Sequence, residues 1–189
     1  MTRLTVEGLQ KLRAGLTPQI EKRTRTGKTG QKERYIFVCG GTACESSASA
    51  LIYDNLLEEA KKQGAADQVQ VIKTGCFGFC EKGPIVKVYP EDSFYVEVKP
   101  GDAAEIISEH ILNGREVTRL LYDKDKKPGA DEDIAFYKKQ QRVVLRNCGI
   151  IAPEHIEDYI GRNGYAALEK ALFEMSPQGI INEIKKSGL

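Results

Sequence analysis

The sequence predicts an α/β fold ordered β-α-β-β-β-α, with a small mostly helical segment behind it. Two short runs rich in β-branched and aromatic residues, "RYIFVC" and "VQVIKT", each lead into a turn holding glycine and cysteine. Between them, "ESSASALIYDNLLEEAKKQG" carries apolar residues at helical spacing. From residue 136 onward the periodicity is helical, interrupted at Gly161 and Gly164.

At the start, "LTVEGLQKLRAGL" sets Val6, Leu9, Leu12 and Leu16 at helical spacing and predicts a short helix. "KRTRTGKTGQK" is polar and glycine-punctuated, so residues 1–33 read as a basic helix and linker. The next unit, 34–114, begins with "RYIFVCG" as a strand. The following helix places Leu51, Ile52, Leu56 and Leu57 on one face, sets Glu58 and Glu59 ahead of Lys61 and Lys62, and stops at Gly64. "DQVQVIKTG" alternates as a second strand, and "GPIVKVYP" with "SFYVEVKP" forms a hairpin around "EDS". "GDAAEIISEHILNG" reads as the closing helix, with Asp102 as N-cap and Asn113-Gly114 as its end. This order suits a small two-layer sheet covered by helices. Residues 115–135, including "YDKDKKPGADED", read as a charged linker, and 136–189 as a helical segment with start signals at Pro153 and Ser176-Pro177.

Composition excludes several classes. The 41% hydrophobic content is ordinary for a globular chain, and no window approaches the roughly 20 apolar residues of a membrane span. "MTRLTVEGLQKLRAGL" lacks the apolar stretch of a secretory signal, so a cytoplasmic location is expected. The net charge of +1 divides into +6 over residues 1–34, −6 over 35–114 and +1 over 115–189. The basic leader holds no aromatic residue for stacking on bases, which argues against nucleic acid. It reads first as a solvated tail and second as a segment that docks on an acidic neighbour.

Five cysteines in a reducing compartment point to metal or redox chemistry rather than structural disulfides. Four residues separate Cys39 from Cys44 and three separate Cys76 from Cys80, and each pair begins where a strand is expected to end. If the strands are neighbours, four thiolates converge at one sheet edge. Gly40, Gly41, Gly75 and Gly78 allow tight turns whose N–H groups can point at sulfur. A helix starting after Cys44 would favour the thiolate, and Phe77 and Phe79 are placed to limit solvent access. Structural zinc usually takes tighter knuckles, and a thioredoxin-type dithiol needs only one pair. These spacings better suit a flatter, bridged diiron unit. A zinc-stabilised protein-interaction module, a disulfide pair and plain core cysteines are the alternatives.

"CGGTAC" followed by a helix, then "GCFGFCEKGPIVKVYPEDSFYVEVKPGDAAEIISEHILNG", resembles the thioredoxin-like [2Fe-2S] ferredoxins over residues 34 to about 114. The resemblance implies a thioredoxin-like domain whose cluster ligands are Cys39, Cys44, Cys76 and Cys80. "FYKKQQRVVLRNCGIIAPEHIEDYIGRNGYAALEKALFEMSPQGIINEIKKSGL" is similar to the opening of the flavin-bearing, NAD(P)H-oxidising subunit of complex I and of NAD(P)-linked [FeFe] hydrogenases and formate dehydrogenase complexes. There a glycine-rich loop for FMN and nicotinamide follows the segment matching "KKSGL", whereas this sequence stops at Leu189 and holds no G-x-G-x-x-G. The FMN and NAD(P)H sites, and the cysteines of a [4Fe-4S] cluster, are therefore expected on another chain or on a remainder of this one. The implied function is a [2Fe-2S] electron-transfer module of a multisubunit NAD(P)H-dependent oxidoreductase, with no complete catalytic site of its own. Its partners would be other redox subunits.

The remaining candidates read as structural. Cys148 in "LRNCGI" reads as a small core residue, and His110 and His155 as helix-surface residues. Gly83-Pro84 stands open between a cis and a trans bond. Glu81-Lys82, beside Cys80, could tune a cluster or meet a partner.

Overall fold

Strands β1 (Arg34–Cys39) and β2 (Val69–Thr74) run parallel, paired from Arg34↔Val69 to Cys39↔Thr74. They therefore finish at the same edge of the sheet. Strand β3 (Val86–Tyr89) pairs antiparallel with β1, and β4 (Ser93–Tyr95) pairs antiparallel with β3, giving the order β2-β1-β3-β4. This arrangement comes from a computed structural model that describes residues 5–25, 33–122, 134, 137 and 139–188. The expected β-α-β-β-β-α order holds. Both Gly83-Pro84 and Tyr89-Pro90 are cis.

The sheet buries both faces, which is why "RYIFVC" reads as an almost continuous apolar run rather than an alternation. One face presents Ile36, Val38, Val86, Val88 and Tyr95 to the helices. Helix α3 (Ser49–Lys62) packs there through Ile52, Leu56 and Ala60. Beside it lie α4 (Ala103–Glu105) and its π-helical continuation Ile106–Leu112, which bury Ile106, Ile107 and Ile111. The opposite face, with Tyr35, Phe37, Cys39, Ile85, Tyr89 and Phe94, is covered by Phe77, Phe79, Ile134, Tyr137 and Ala152. Among the described residues, an aromatic loop and the later segment cover this second side.

Several expectations need correction. The helix expected after Cys44 is two helices: α2 (Thr42–Ser46), which contains Cys44, and α3, separated at Ala48 with φ 70°. That break rotates the register, so Leu51 is exposed and Ser49, Ile52, Leu56 and Ala60 form the buried stripe. Asp102 stands at the N-cap position of α4 as expected, but its carboxylate makes no cap bond there; it accepts from Lys99 N–H at 2.7 Å and pairs with Arg119. His110 is fully buried rather than on a helix surface. Its Nδ1 lies 2.7 Å from Tyr95 Oη and its Nε2 3.5 Å from Glu91, which also meets Arg34. His155 is exposed, at the N-cap of α5 (Ile156–Gly161).

The described residues of "AFYKKQQRVVLRNCGI" from Lys139 to Ile150 are turns and loop, not helix. The Val143-Val144 pair is β-branched and exposed, so neither propensity nor burial favours a helix there. Helices return in α5, α6 (Ala166–Phe173) and α7 (Pro177–Ser187). Ser176 caps α7 by accepting from Gly179 N–H at 3.1 Å, as its Ser-Pro start suggests. Of the leader expected at 1–33 and the linker expected at 115–135, residues 26–32, 123–133 and 135 lie outside the described residues, as does Phe136 at the start of the tail.

Helix α1 (Val6–Arg23) extends past Pro18 and lies against α5. Thr17 Oγ1 donates to Gly161 O at 2.8 Å, and Ile20 presses on Gly161, where any Cβ would come within 2.4 Å of Ile20 Cδ1. Arg23 pairs with the buried Asp158 at 2.6 Å, and Arg13 with Glu169 at 3.4 Å. The basic leader thus meets acidic partners within its own chain, through α5 and α6.

Candidate metal centre

The parallel register of β1 and β2 decides the site. Because Cys39 and Thr74 are opposite one another, the turns that follow both strands leave the sheet side by side. Gly40 N–H donates to Thr74 O at 2.9 Å and joins them. Cys39 N–H donates to Ile85 O at 3.0 Å, which fixes the first turn to β3 as well.

The four thiols of the two turns come together. Cys76 Sγ and Cys80 Sγ lie 3.9 Å apart. Two sulfurs that share a tetrahedral metal with bonds of about 2.3 Å are separated by about 3.8 Å, so this pair already stands at ligand spacing. Cys39 lies near enough to Cys44 and Cys76 for both thiols to favour its thiolate. Among the described residues no group of three or more Cys, His, Asp or Glu is arranged for a single metal ion.

Backbone amides supply the positive partial charge. Gly78 N–H donates to Cys76 Sγ at 3.2 Å, and the Gly41 and Phe77 amides near Cys39 and the Ile85 amide near Cys44 favour negative sulfur there. Of the four glycines singled out from sequence, Gly41 and Gly78 act in this way. Gly40 ties the turns together, and Gly75 packs its Cα against Cys148, whose Sγ would stand 2.9 Å from a Cβ added there. The sequence carries no mark of the Phe77 and Ile85 amides, because a backbone donor has no residue-type signature. Gly78 takes φ 79°, a left-handed conformation that turns the chain away beyond the N–H bonded to Cys76.

The electrostatics follow from these contacts. The bond from Cys44, aided by the Gly41 and Phe77 amides, outweighs burial and brings the Cys39 thiol down to about 6. The same bond, burial and the charge on Cys39 push the Cys44 thiol up. Burial also raises Cys76 against the opposing Gly78 amide. Cys44 sits within α2 rather than ahead of a helix, so these amides, not a long helix dipole, favour negative sulfur.

Cys39 and Cys44 are each 1% exposed, Cys76 is half-buried and Cys80 is exposed. Phe77 and Phe79 turn inward against Phe94, with ring centroids 5.9 and 6.2 Å away. Tyr137 stacks at 6.1 Å from Phe79. Cys148, expected as a small core residue, is half-buried behind the second turn, its Sγ against Gly75.

Comparisons with known proteins agree with this geometry. The family described as Thioredoxin-like [2Fe-2S] ferredoxin matches residues 26–110. A 2Fe-2S ferredoxin of Clostridium pasteurianum is 40% identical over 96 residues, spanning 47% of this chain and 94% of that protein. One from Aquifex aeolicus is 32% identical over 105 residues, spanning 51% and 95%. The NADP-reducing hydrogenase subunit HndC of Solidesulfovibrio fructosivorans is 50% identical over 52 residues, 28% of this chain and 10% of that subunit. No helix among the described residues is long and apolar enough to cross a membrane. With two glycine-bearing turns gathering four thiols at one sheet edge, the chain belongs to the thioredoxin-like [2Fe-2S] ferredoxin family and has an iron–sulfur electron-transfer role.

Proposed function

We propose that Cys39, Cys44, Cys76 and Cys80 hold the [2Fe-2S] cluster, and that the chain relays single electrons within a multisubunit NAD(P)H-dependent oxidoreductase. The observation that carries the ligand assignment is the meeting of the two thiol pairs at the shared end of β1 and β2. When bound, such a cluster takes up and returns one electron at a time. The chain's own residues set the conditions. Cys39 and Cys44 keep the inner side dry, and Cys76 with Cys80 holds the side nearest solvent. The Gly41, Phe77, Gly78 and Ile85 amides stabilise negative charge on sulfur. The exposed Cys80 marks the short path by which an electron enters or leaves.

The assembly context rests on the HndC similarity and on the tail. Helices α6 and α7 expose Leu168, Leu172, Phe173, Ile181 and Ile184 to solvent and bury no residue of their own. An apolar surface of this kind suits packing on another chain or domain. In this reading that neighbour binds flavin and NAD(P)H, and residues 1–33, 34–114, 115–135 and 136–189 are leader, ferredoxin domain, linker and docking segment.

The test is reduction of the purified chain by NADH and NADPH, alone and with a co-expressed flavin-bearing neighbour. Dithionite should bleach the visible absorption of the chain alone, whereas nicotinamide should do so only with the neighbour present. FMN retained by this chain alone, with direct bleaching by NADH, would sink the relay reading.

A further inference from the structure

We propose that Tyr137, on the segment behind the ferredoxin sheet, is a positioning residue that sets the reduction potential of the cluster through one peptide group. The proposal rests on Cys76 being a ligand, as argued above. The buried Tyr137 hydroxyl donates to the Phe77 carbonyl at 2.8 Å. That carbonyl and the Gly78 N–H belong to the same peptide unit, and the N–H donates to Cys76 Sγ at 3.2 Å. The donors therefore run without a break from Tyr137 Oη–H, through one amide, to a cluster sulfur.

The surroundings hold this line in place. The Tyr137 ring packs 6.1 Å from Phe79 and 6.2 Å from Phe94, and the Arg142 guanidinium lies 5.2 Å from its centroid. Gly149, at φ 82°, fits so closely over Phe77 that a Cβ there would come within 2.7 Å of the ring. Thr74 ties the same segment to the end of β2. Its hydroxyl donates to Ile151 O at 2.7 Å and accepts from Gly149 N–H at 3.0 Å. The peptide between Phe77 and Gly78 is thus clasped from the tail side while its N–H faces sulfur.

A hydrogen bond to a carbonyl polarises the amide and makes its N–H a stronger donor. Reduction adds a negative charge shared by the ligand sulfurs, and a stronger N–H···S bond stabilises that state. The Tyr137 hydroxyl therefore raises the potential. Tyr137 lies outside residues 26–110, so this control is added by the segment beyond the family match.

The test is Tyr137→Phe in the full chain, which keeps the ring and removes one donor. The variant should load iron and sulfide as the parent does. At the parent's midpoint, in equilibrium with a redox dye, its reduced-to-oxidised ratio should fall several-fold, and its midpoint should move to a more negative value. Tyr122→Phe is the control, because that ring packs against the same Phe79 and Phe94 but its hydroxyl is not in the line. An unmoved midpoint in Tyr137→Phe, an equal shift in Tyr122→Phe, or loss of the cluster from Tyr137→Phe overturns the relay. A parent chain without iron, or a Cys76→Ser variant with unaltered spectra, overturns the ligand reading instead.

Discussion

The turn after β1 buries both of its thiols, whereas the turn after β2 leaves Cys76 half-buried and Cys80 exposed. The difference follows from strand position. Strand β1 is flanked by β2 and β3, so its turn is roofed by the residues that lead into β3. Cys39 N–H bonds Ile85 O, and Cys44 Sγ sits against Gly83, 2.8 Å from where a Cβ would stand. Strand β2 lies at the sheet edge, and its turn has solvent on one side and the tail on the other. In the proposed ligand set, one sheet would thereby provide an inner anchoring pair and an outer exchange pair with no special side chain to distinguish them.

The largest contrast is between Cys39→Ser and Cys80→Ser. Loss of the inner ligand should abolish the visible absorption and, because metal binding is coupled to folding, lower the melting temperature by roughly 10 °C or more. Cys80→Ser, where solvent or the serine oxygen can substitute, should keep a fraction of the colour with an altered spectrum. Equal losses in the two variants would erase the distinction between anchor and exchange pairs.

Glycine substitutions sharpen the comparison. In Gly41→Ala the new Cβ would lie 3.0 Å from both Cβ and Sγ of Cys76, forcing the two turns apart. We expect a loss of about 1–2 kcal/mol, seen as a melting temperature about 3–6 °C lower, and faster bleaching in air. Gly78→Ala meets open space and only the strain of φ 79°, about 1 kcal/mol, so its bleaching rate should change less.

The far end of the sheet is the counterpart that carries charge without redox chemistry. Burial pushes the Glu91 carboxyl up, but His110 at 3.5 Å, the backbone amide of Glu91 itself and the Arg34 guanidinium outweigh burial and hold it at about 2. A depressed carboxyl stabilises the fold above its unfolded value, and that contribution disappears as pH falls through its folded value. Stability should therefore drop between about pH 4.5 and 2, by on the order of 1–2 kcal/mol after solvent screening. Urea melts at stepped pH should show a shallower drop for Glu91→Gln.

The smallest effect belongs to Cys148→Ser. Its thiol touches Gly75 from behind, so the variant should keep its colour, with a change in melting temperature within about 2 °C. Loss of iron from Cys148→Ser would show that the tail supplies a ligand.

The strands and the cysteine spacings were readable from sequence because each depends on residue type: β-branched runs bounded by glycine, and thiols at strand ends. What was not readable depends on backbone or distant contact. Ala48 gives no warning of its left-handed turn, so the helix face was placed one residue off, at Leu51. His110 has a surface residue's composition but meets Tyr95 and Glu91 only after β4 and the π-helical turn come together. The amides of Phe77 and Ile85, and the Tyr137 hydroxyl across 60 positions, are invisible to any local pattern. Burial of Ile20 against Gly161 likewise joins two segments that read as independent.

Metal and sulfide analysis of the anaerobically purified full chain, beside its Cys39→Ser variant, tests the central claim most directly. The account predicts about two iron and two acid-labile sulfide per parent chain, an electron paramagnetic resonance signal on reduction, and neither in the variant. A colourless parent carrying stoichiometric zinc, or iron that persists unchanged in Cys39→Ser, would contradict it.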